Sequence, residues 1–129
     1  MVYEAVEKIQ EIYQHMSLMV NIIKVDSYNN LPFVDDSFDL GWNFSALWFV
    51  QDLYAFLKEL CRISKKIILI CVPNQSGLGY KWQRTHTDIP PGMCFHQQYI
   101  DPPTVKQMMR ELGWNSTGEA FIDCPPWPD

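Results

Sequence analysis

The sequence is short of positive charge. Ten Lys and Arg stand against fifteen Asp and Glu, a formal net charge of -5, and no basic stripe gathers the few cations present. A surface that neutralises phosphates needs clustered Lys and Arg, so a nucleic-acid partner is not expected. Long apolar runs are lacking too. The longest, around Ile67 to Pro73, falls far short of the ~18–20 residues that cross a bilayer. The opening Met1-Val2-Tyr3-Glu4 has neither a charged n-region nor an apolar h-region, and the expectation is a soluble, cytoplasmic protein with no membrane partner. Cysteine is sparse and scattered. Cys61, Cys71, Cys94 and Cys124 form no Cys-x-x-Cys, which argues against a disulfide framework and for reduced thiols.

What is present suffices for one core. The 129 residues are 47% hydrophobic and 14% aromatic, enough for a single domain spanning 1–129 and too apolar for a disordered chain. Over residues 3–19, Val6, Ile9, Tyr13 and Met16, with Val20 just beyond, recur three or four apart between Glu and Lys positions, which predicts an amphipathic helix with one buried stripe. Residues 20–25 are β-branched and too short for a helix; they read as a strand ending in the turn-forming cluster Asp26-Ser27-Tyr28-Asn29-Asn30. Pro32 keeps Leu31 out of the α region, so 31–37 is an extended surface segment leading into a strand over 38–44.

Asp52 is placed to cap a helix whose apolar positions are Leu53, Phe56, Leu57, Leu60 and Ile63, with Arg62, Lys65 and Lys66 near its negative end. Directly after it, 67–72 is apolar without alternation, the mark of a central parallel strand buried on both faces. Residues 75–98 form a long connection with a short helix near 80–84. Next comes a well-punctuated helix: Asp101 as cap, Pro102 and Pro103 in the first turn, Val105, Met108, Met109 and Leu112 as stripe, Gly113 as stop. Residues 114–122 read as a last strand and 124–129 as a rigid, Pro-rich tail.

This alternation points to an α/β layer with a largely parallel sheet, whose ligand site lies at the carboxyl ends of the strands. Asp26-Ser27, Asn43-Phe44-Ser45 and Pro73-Asn74 occupy those ends. Asp35, Asp36 and Asp39 share one extended surface segment and read as a solvated loop; Cys94, His96, His86 and Cys124 lack a close pair at zinc spacing. No metal site is assigned. A Gly-x-Ser-x-Gly elbow is absent, and no catalytic nucleophile can be named.

Several of these segments, in this order, resemble the middle of a class I S-adenosylmethionine-dependent methyltransferase of the type 11 kind. They are Val25-Asp26-Ser27, Leu31-Pro32-Phe33, Asp36-Ser37-Phe38-Asp39-Leu40, Asn43-Phe44-Ser45-Ala46-Leu47, the run from Phe56 to Ile63, and the late Glu111-Leu112-Gly113-Trp114. The resemblance implies S-adenosylmethionine as cofactor and an unidentified methyl acceptor, a small molecule rather than a nucleic acid. It makes Asp26 the acceptor of the adenine amino group, with the backbone of Ser27 beside the ring. Asn43, Phe44 and Ser45 then lie next to the methionine moiety and sulfonium, with Leu47 and Trp48 towards the acceptor. A dedicated base is not required; His86 and His96 are the near-neutral candidates.

The sequence also departs from that pattern. Its glycines are at 41, 77, 79, 92, 113 and 118, all after the place where the Gly-rich turn should precede the first helix. The implied fold is therefore a truncated, partial Rossmann-like sheet with flanking helices, its first two strands absent and its final antiparallel pair incomplete. The strand at 20–25 would lose both family neighbours. A partner chain, association of copies into a homo-oligomer, or direct pairing with 38–44 would each supply cover. Two functions follow: a methyltransferase or part of one, and a non-catalytic remnant serving as an interaction or assembly module.

Overall fold

The computed structural model describes residues 2–86 and 95–121. In chain order they form α1 (Val2–His15), β1 (Phe38–Phe44), a 3-10 turn (Leu47–Phe49), α2 (Leu53–Ile63), β2 (Ser64–Cys71), α3 (Leu78–His86), a second 3-10 turn (Gln97–Ile100) and α4 (Pro102–Glu111). β1 and β2 pair in parallel, from Leu40 opposite Ile67 to Phe44 opposite Cys71, with an irregularity between Phe38 and Leu40. The chain is thus a small α/β structure whose two-stranded parallel sheet is joined by the crossover helix α2.

Local chemistry accounts for the best-formed elements. The Asp52 side chain accepts a hydrogen bond from Ala55 N at 3.0 Å and so satisfies one of the free N–H groups that open α2. At α4 the Asp101 carboxylate takes the same role, accepting from Thr104 N at 3.1 Å and Thr104 Oγ1 at 2.7 Å, with Pro in the first turn. Gly113 ends that helix at φ +87, a left-handed conformation that costs Gly nothing. Leu53, Leu57, Leu60 and Ile63 form the buried stripe of α2 as the spacing predicted. The core gathers Leu47, Val50, Leu53, Leu57, Ile100 and Val105, with Ile70, Val72, Met108, Met109 and Leu112 packed around it.

A polar latch holds the segment before β1 to the far end of α2. The Arg62 guanidinium donates to both Glu59 oxygens, at 2.9 and 2.8 Å, to Phe33 O at 2.7 Å, to Leu31 O at 3.2 Å and to Asp35 Oδ1 at 2.8 Å. Glu59 in turn accepts from Leu31 N at 2.9 Å, and Asp36 N donates to Arg62 O. The hydrogen bond from Arg62 and that from Leu31 hold the Glu59 carboxyl below its ordinary value of 4.5, against the opposing effect of burial. A depressed carboxyl stabilises the fold above its unfolded pKa and loses that contribution as pH falls through the folded value. Urea midpoints measured from neutral pH down to about pH 3 should therefore fall less steeply for Glu59→Gln than for the unsubstituted chain. Parallel curves would mean that the latch is not electrostatic.

Several expectations are corrected. Residues 20–25 are not a strand: they form no regular element and belong to no ladder, the described sheet holding only β1 and β2. Residues 114–121 are likewise not a strand; a Lys106–Glu119 ion pair ties them to α4 instead. Helix α1 ends at His15, short of Met19, and its apolar stripe is exposed at Ile9, Ile12, Tyr13 and Met16. β2 is not buried on both faces, because helices and core cover one side and leave Ile67 and Leu69 exposed on the other. The helix expected near 80–84 is longer, Leu78–His86. Cys94 and residues 122–129, with Cys124 and the Pro-rich tail, lie outside the described residues.

Candidate functional site

The carboxyl ends of the two parallel strands meet at Phe44 and Cys71. Ser45 N donates to Cys71 O at 2.9 Å, carrying the ladder one residue past β1, and Ser45 then turns into the left-handed region at φ 48. Side chains alternate along β1, so Asn43 enters the protein while Phe44 points to the opposite, exposed face. Asn43 is buried, yet its Oδ1 finds no hydrogen-bond partner among the described residues. The indole Nε1 of Trp48, five residues on, is buried and unpartnered in the same way. Leaving a buried acceptor or donor unpaired costs ~1–3 kcal/mol, so these two groups, one near the end of β1 and one in the 3-10 turn after it, require an explanation.

Aromatic rings gather on the 3-10 turn that follows β1. Phe95 packs 4.8 Å from Trp48 and 6.3 Å from Phe49, between ring centroids. His96 N donates to Trp48 O at 2.9 Å, and the His96 ring stacks on Tyr99 at 4.6 Å. Tyr99 Oη reaches Gln51 O at 3.3 Å. The turn that follows β1 and the end of the long connection are thereby joined, and His96, a candidate base, stands at their junction. His86 ends α3.

Asp26 and Ser27 do not stand at a strand end as expected, since no laddered strand lies beneath them. They form an exposed bend in which Asn29 N donates to Ser27 Oγ at 3.2 Å. The next ring, Tyr28, meets Phe56 edge-on at 6.2 Å. That contact sets the bend beside the half of α2 that follows the carboxyl end of β1, whereas the Arg62 latch lies at the other end. Asn43, Phe44 and Ser45 follow one another at the end of β1, with Asn43 and Phe44 on opposite faces; Asp26 and Ser27 precede the Tyr28 contact with α2.

The remaining candidates resolve into structural roles. Asp35 pairs with Arg62 and Asp39 with Lys66 at 2.9 Å, so these carboxylates have cations of their own. Among the described residues no group of three or more His, Cys, Asp or Glu is arranged to hold a metal ion. Burial pushes the Cys61 thiol up to about 11, which keeps it protonated and inert at neutral pH; its Sγ lies 3.9 Å from Met109 Sδ. A shallow depression lined by Gln10, Gln14, Leu18, Met19 and Val20 lies by the end of α1, formed by none of these site residues. No described helix is long and apolar enough to cross a membrane.

The Arg62–Glu59 latch was missed by sequence reasoning, which placed Arg62 only at the negative end of α2. Its one visible signal is the i, i+3 spacing of the pair. The orphaned Trp48 indole had no signal at all.

Compared with models of known families, residues 1–69 match that of the methyltransferase domain. The match runs over just more than half of the chain, from α1 through β1 and α2 into β2. No curated protein and no solved structure matches.

Proposed function

The chain belongs to the methyltransferase-domain family as a class I S-adenosylmethionine-dependent methyltransferase-like domain, and from that membership we propose that it binds S-adenosylmethionine at the strand carboxyl ends and serves methyl transfer, as an enzyme or part of one. The sheet is read as a partial Rossmann-like sheet, and 1–129 as one truncated domain. The observation that carries the reading is the orphaned Oδ1 of buried Asn43. A buried acceptor without a donor suits the protonated amino group at the methionine end of the cofactor.

The other residues have matching chemistry. Asp26, exposed at its bend, can accept from the adenine amino group, with the Ser27 backbone beside the ring. Ser45, turned at φ 48, follows Asn43 at the methionine end, with the backbone of Phe44 between them. When bound, the cofactor supplies a methyl group on a sulfonium, open to direct displacement by an acceptor heteroatom. The protein's part is then alignment and exclusion of water, for which the Trp48, Phe49 and Phe95 rings cluster on the turn that follows β1. His96 is the residue to hold a proton if the acceptor must lose one. A small-molecule acceptor is favoured by the acidic balance of the chain.

A second reading, a non-catalytic interaction or assembly module, is favoured by one observation: the sheet keeps an apolar face that nothing described covers.

Asn43→Leu separates the two. Replacing a buried amide whose oxygen is unpaired by an apolar group of similar volume should change stability little, by no more than ~1 kcal/mol in urea denaturation. The same change should weaken S-adenosylmethionine binding by about tenfold or more in titration calorimetry, equivalent to ~1.4 kcal/mol. Unchanged affinity would remove Asn43 from the site. Asp26→Ala should cost ~1–3 kcal/mol of binding with little effect on stability.

A further inference from the structure

Two apolar surfaces have no cover among the described residues. In a parallel ladder paired residues point to the same side, so Leu40 with Ile67, Trp42 with Leu69 and Phe44 with Cys71 make up one face of the sheet. The core and α2 lie on the other face, against Gly41 and Asn43. Trp42 is 63% exposed and Phe44 68%, and their rings meet edge-on at 6.2 Å on the bare side. The second surface is the stripe of α1, where Ile12 is 55% and Met16 59% exposed. A 14-residue helix has little stability by itself in water, so α1 needs packing to persist.

We propose that two copies of the chain associate about a two-fold axis, with α1 of each lying across the uncovered sheet face of the other. The area suffices. With ~150–250 Å² per aromatic side chain and somewhat less for Leu, Ile and Met, about half of it exposed, the sheet face offers roughly 500 Å² and the α1 stripe roughly 400 Å². Two reciprocal contacts bury on the order of 1,800 Å², within the ~1,200–2,000 Å² of stable protein interfaces. Symmetry selects this arrangement: one operator covers all four bare surfaces, whereas pairing the sheets face to face would leave both helices exposed. Reach is available as well, because residues 18–25 lie in no helix or ladder, and at ~3.3 Å per residue such a segment can span up to roughly 25 Å. The dimer does not depend on cofactor binding.

The test mixes two variants. Ile12→Glu spoils the helix surface and Trp42→Lys the sheet surface, both at positions exposed in the single chain, so neither should unfold it. The unsubstituted chain should sediment as a dimer at about 10 µM, and each variant alone should weaken association by about 100-fold or more. An equimolar mixture should dimerise again, since one of its two contacts joins an intact helix to an intact sheet face. A photo-crosslinker at Met16 serves if either variant fails to fold: capture of the 38–44 peptide from an isotope-labelled second copy supports the exchange. Capture of that peptide only from its own chain overturns it. A folded monomer at about 100 µM overturns it too, as does a mixture of folded variants that stays monomeric, the result expected if α1 packs on its own sheet or a different protein covers the face.

Discussion

Leu57→Ala should lower the unfolding free energy by ~2–5 kcal/mol. Leu57 is fully buried in the middle of α2, where it meets the Leu47, Ile100 and Val105 side of the core. Removing its branched end takes away transfer energy and leaves a cavity. The cavity cannot readily collapse because α2 is fixed at both ends, by the Asp52 cap and by the Arg62 hydrogen bonds to Leu31 and Phe33. In so small a domain that loss is a large part of the total stability, which is only ~5–15 kcal/mol for typical proteins. A urea midpoint shift equivalent to less than about 1 kcal/mol would place the core elsewhere.

Gly41→Val should be nearly as damaging, at about 3 kcal/mol. Gly41 is buried where β1 passes under the start of β2. A Cβ there would fall far inside contact distance of Ser64 Oγ and 3.0 Å from Leu60 Cδ1. The Ser64 hydroxyl has no hydrogen-bond partner among the described residues and is free to turn away. Leu60, in the buried stripe of α2, is less so. Gly41→Ala should accordingly cost less than Gly41→Val, and less again when combined with Ser64→Ala, because the two sites share one space. Thermal melting of the four chains checks the order; equal melting temperatures for Gly41→Val and the unsubstituted chain would mean that β1 does not approach α2 this closely.

The elements legible in the sequence are those whose signals are local. Asp52 and Asp101 cap helices because each carboxylate reaches an N–H three residues ahead, and Gly113 stops α4 because it alone takes the left-handed turn without cost. The parallel pairing of residues 38–44 with those after α2 was legible for the same reason, as a strand, helix, strand unit. What failed were the inferences about residues 20–25, residues 114–121 and α1, which needed a neighbour outside the strand, helix, strand unit. Residues 20–25 have the β-branched composition of a strand, but a ladder requires a second strand beside it, and composition says nothing of that. The spacing of Ile9, Ile12 and Met16 shows that α1 has an apolar side, not that anything covers it.

The site was legible in part. Asn43, Phe44 and Ser45 follow from the strand end; that Asn43 is buried with its amide oxygen unpaired, and that Phe44 faces the other way, required the structure. Asp26 was expected at a strand end and instead sits on a bend held through Tyr28 and Phe56, a contact between residues 28 apart.

The measurement that tests the central claim most directly is the melting temperature of the unsubstituted chain with and without S-adenosylmethionine. A ligand that binds only the folded state adds ~2.7 kcal/mol at 100 times its dissociation constant, enough to raise the melting temperature of a domain of this size by several degrees. An upward shift that saturates with cofactor concentration and shrinks in Asn43→Leu is the predicted result. A melting temperature unmoved by millimolar cofactor, in a chain shown to be folded, would contradict a cofactor site at the strand ends.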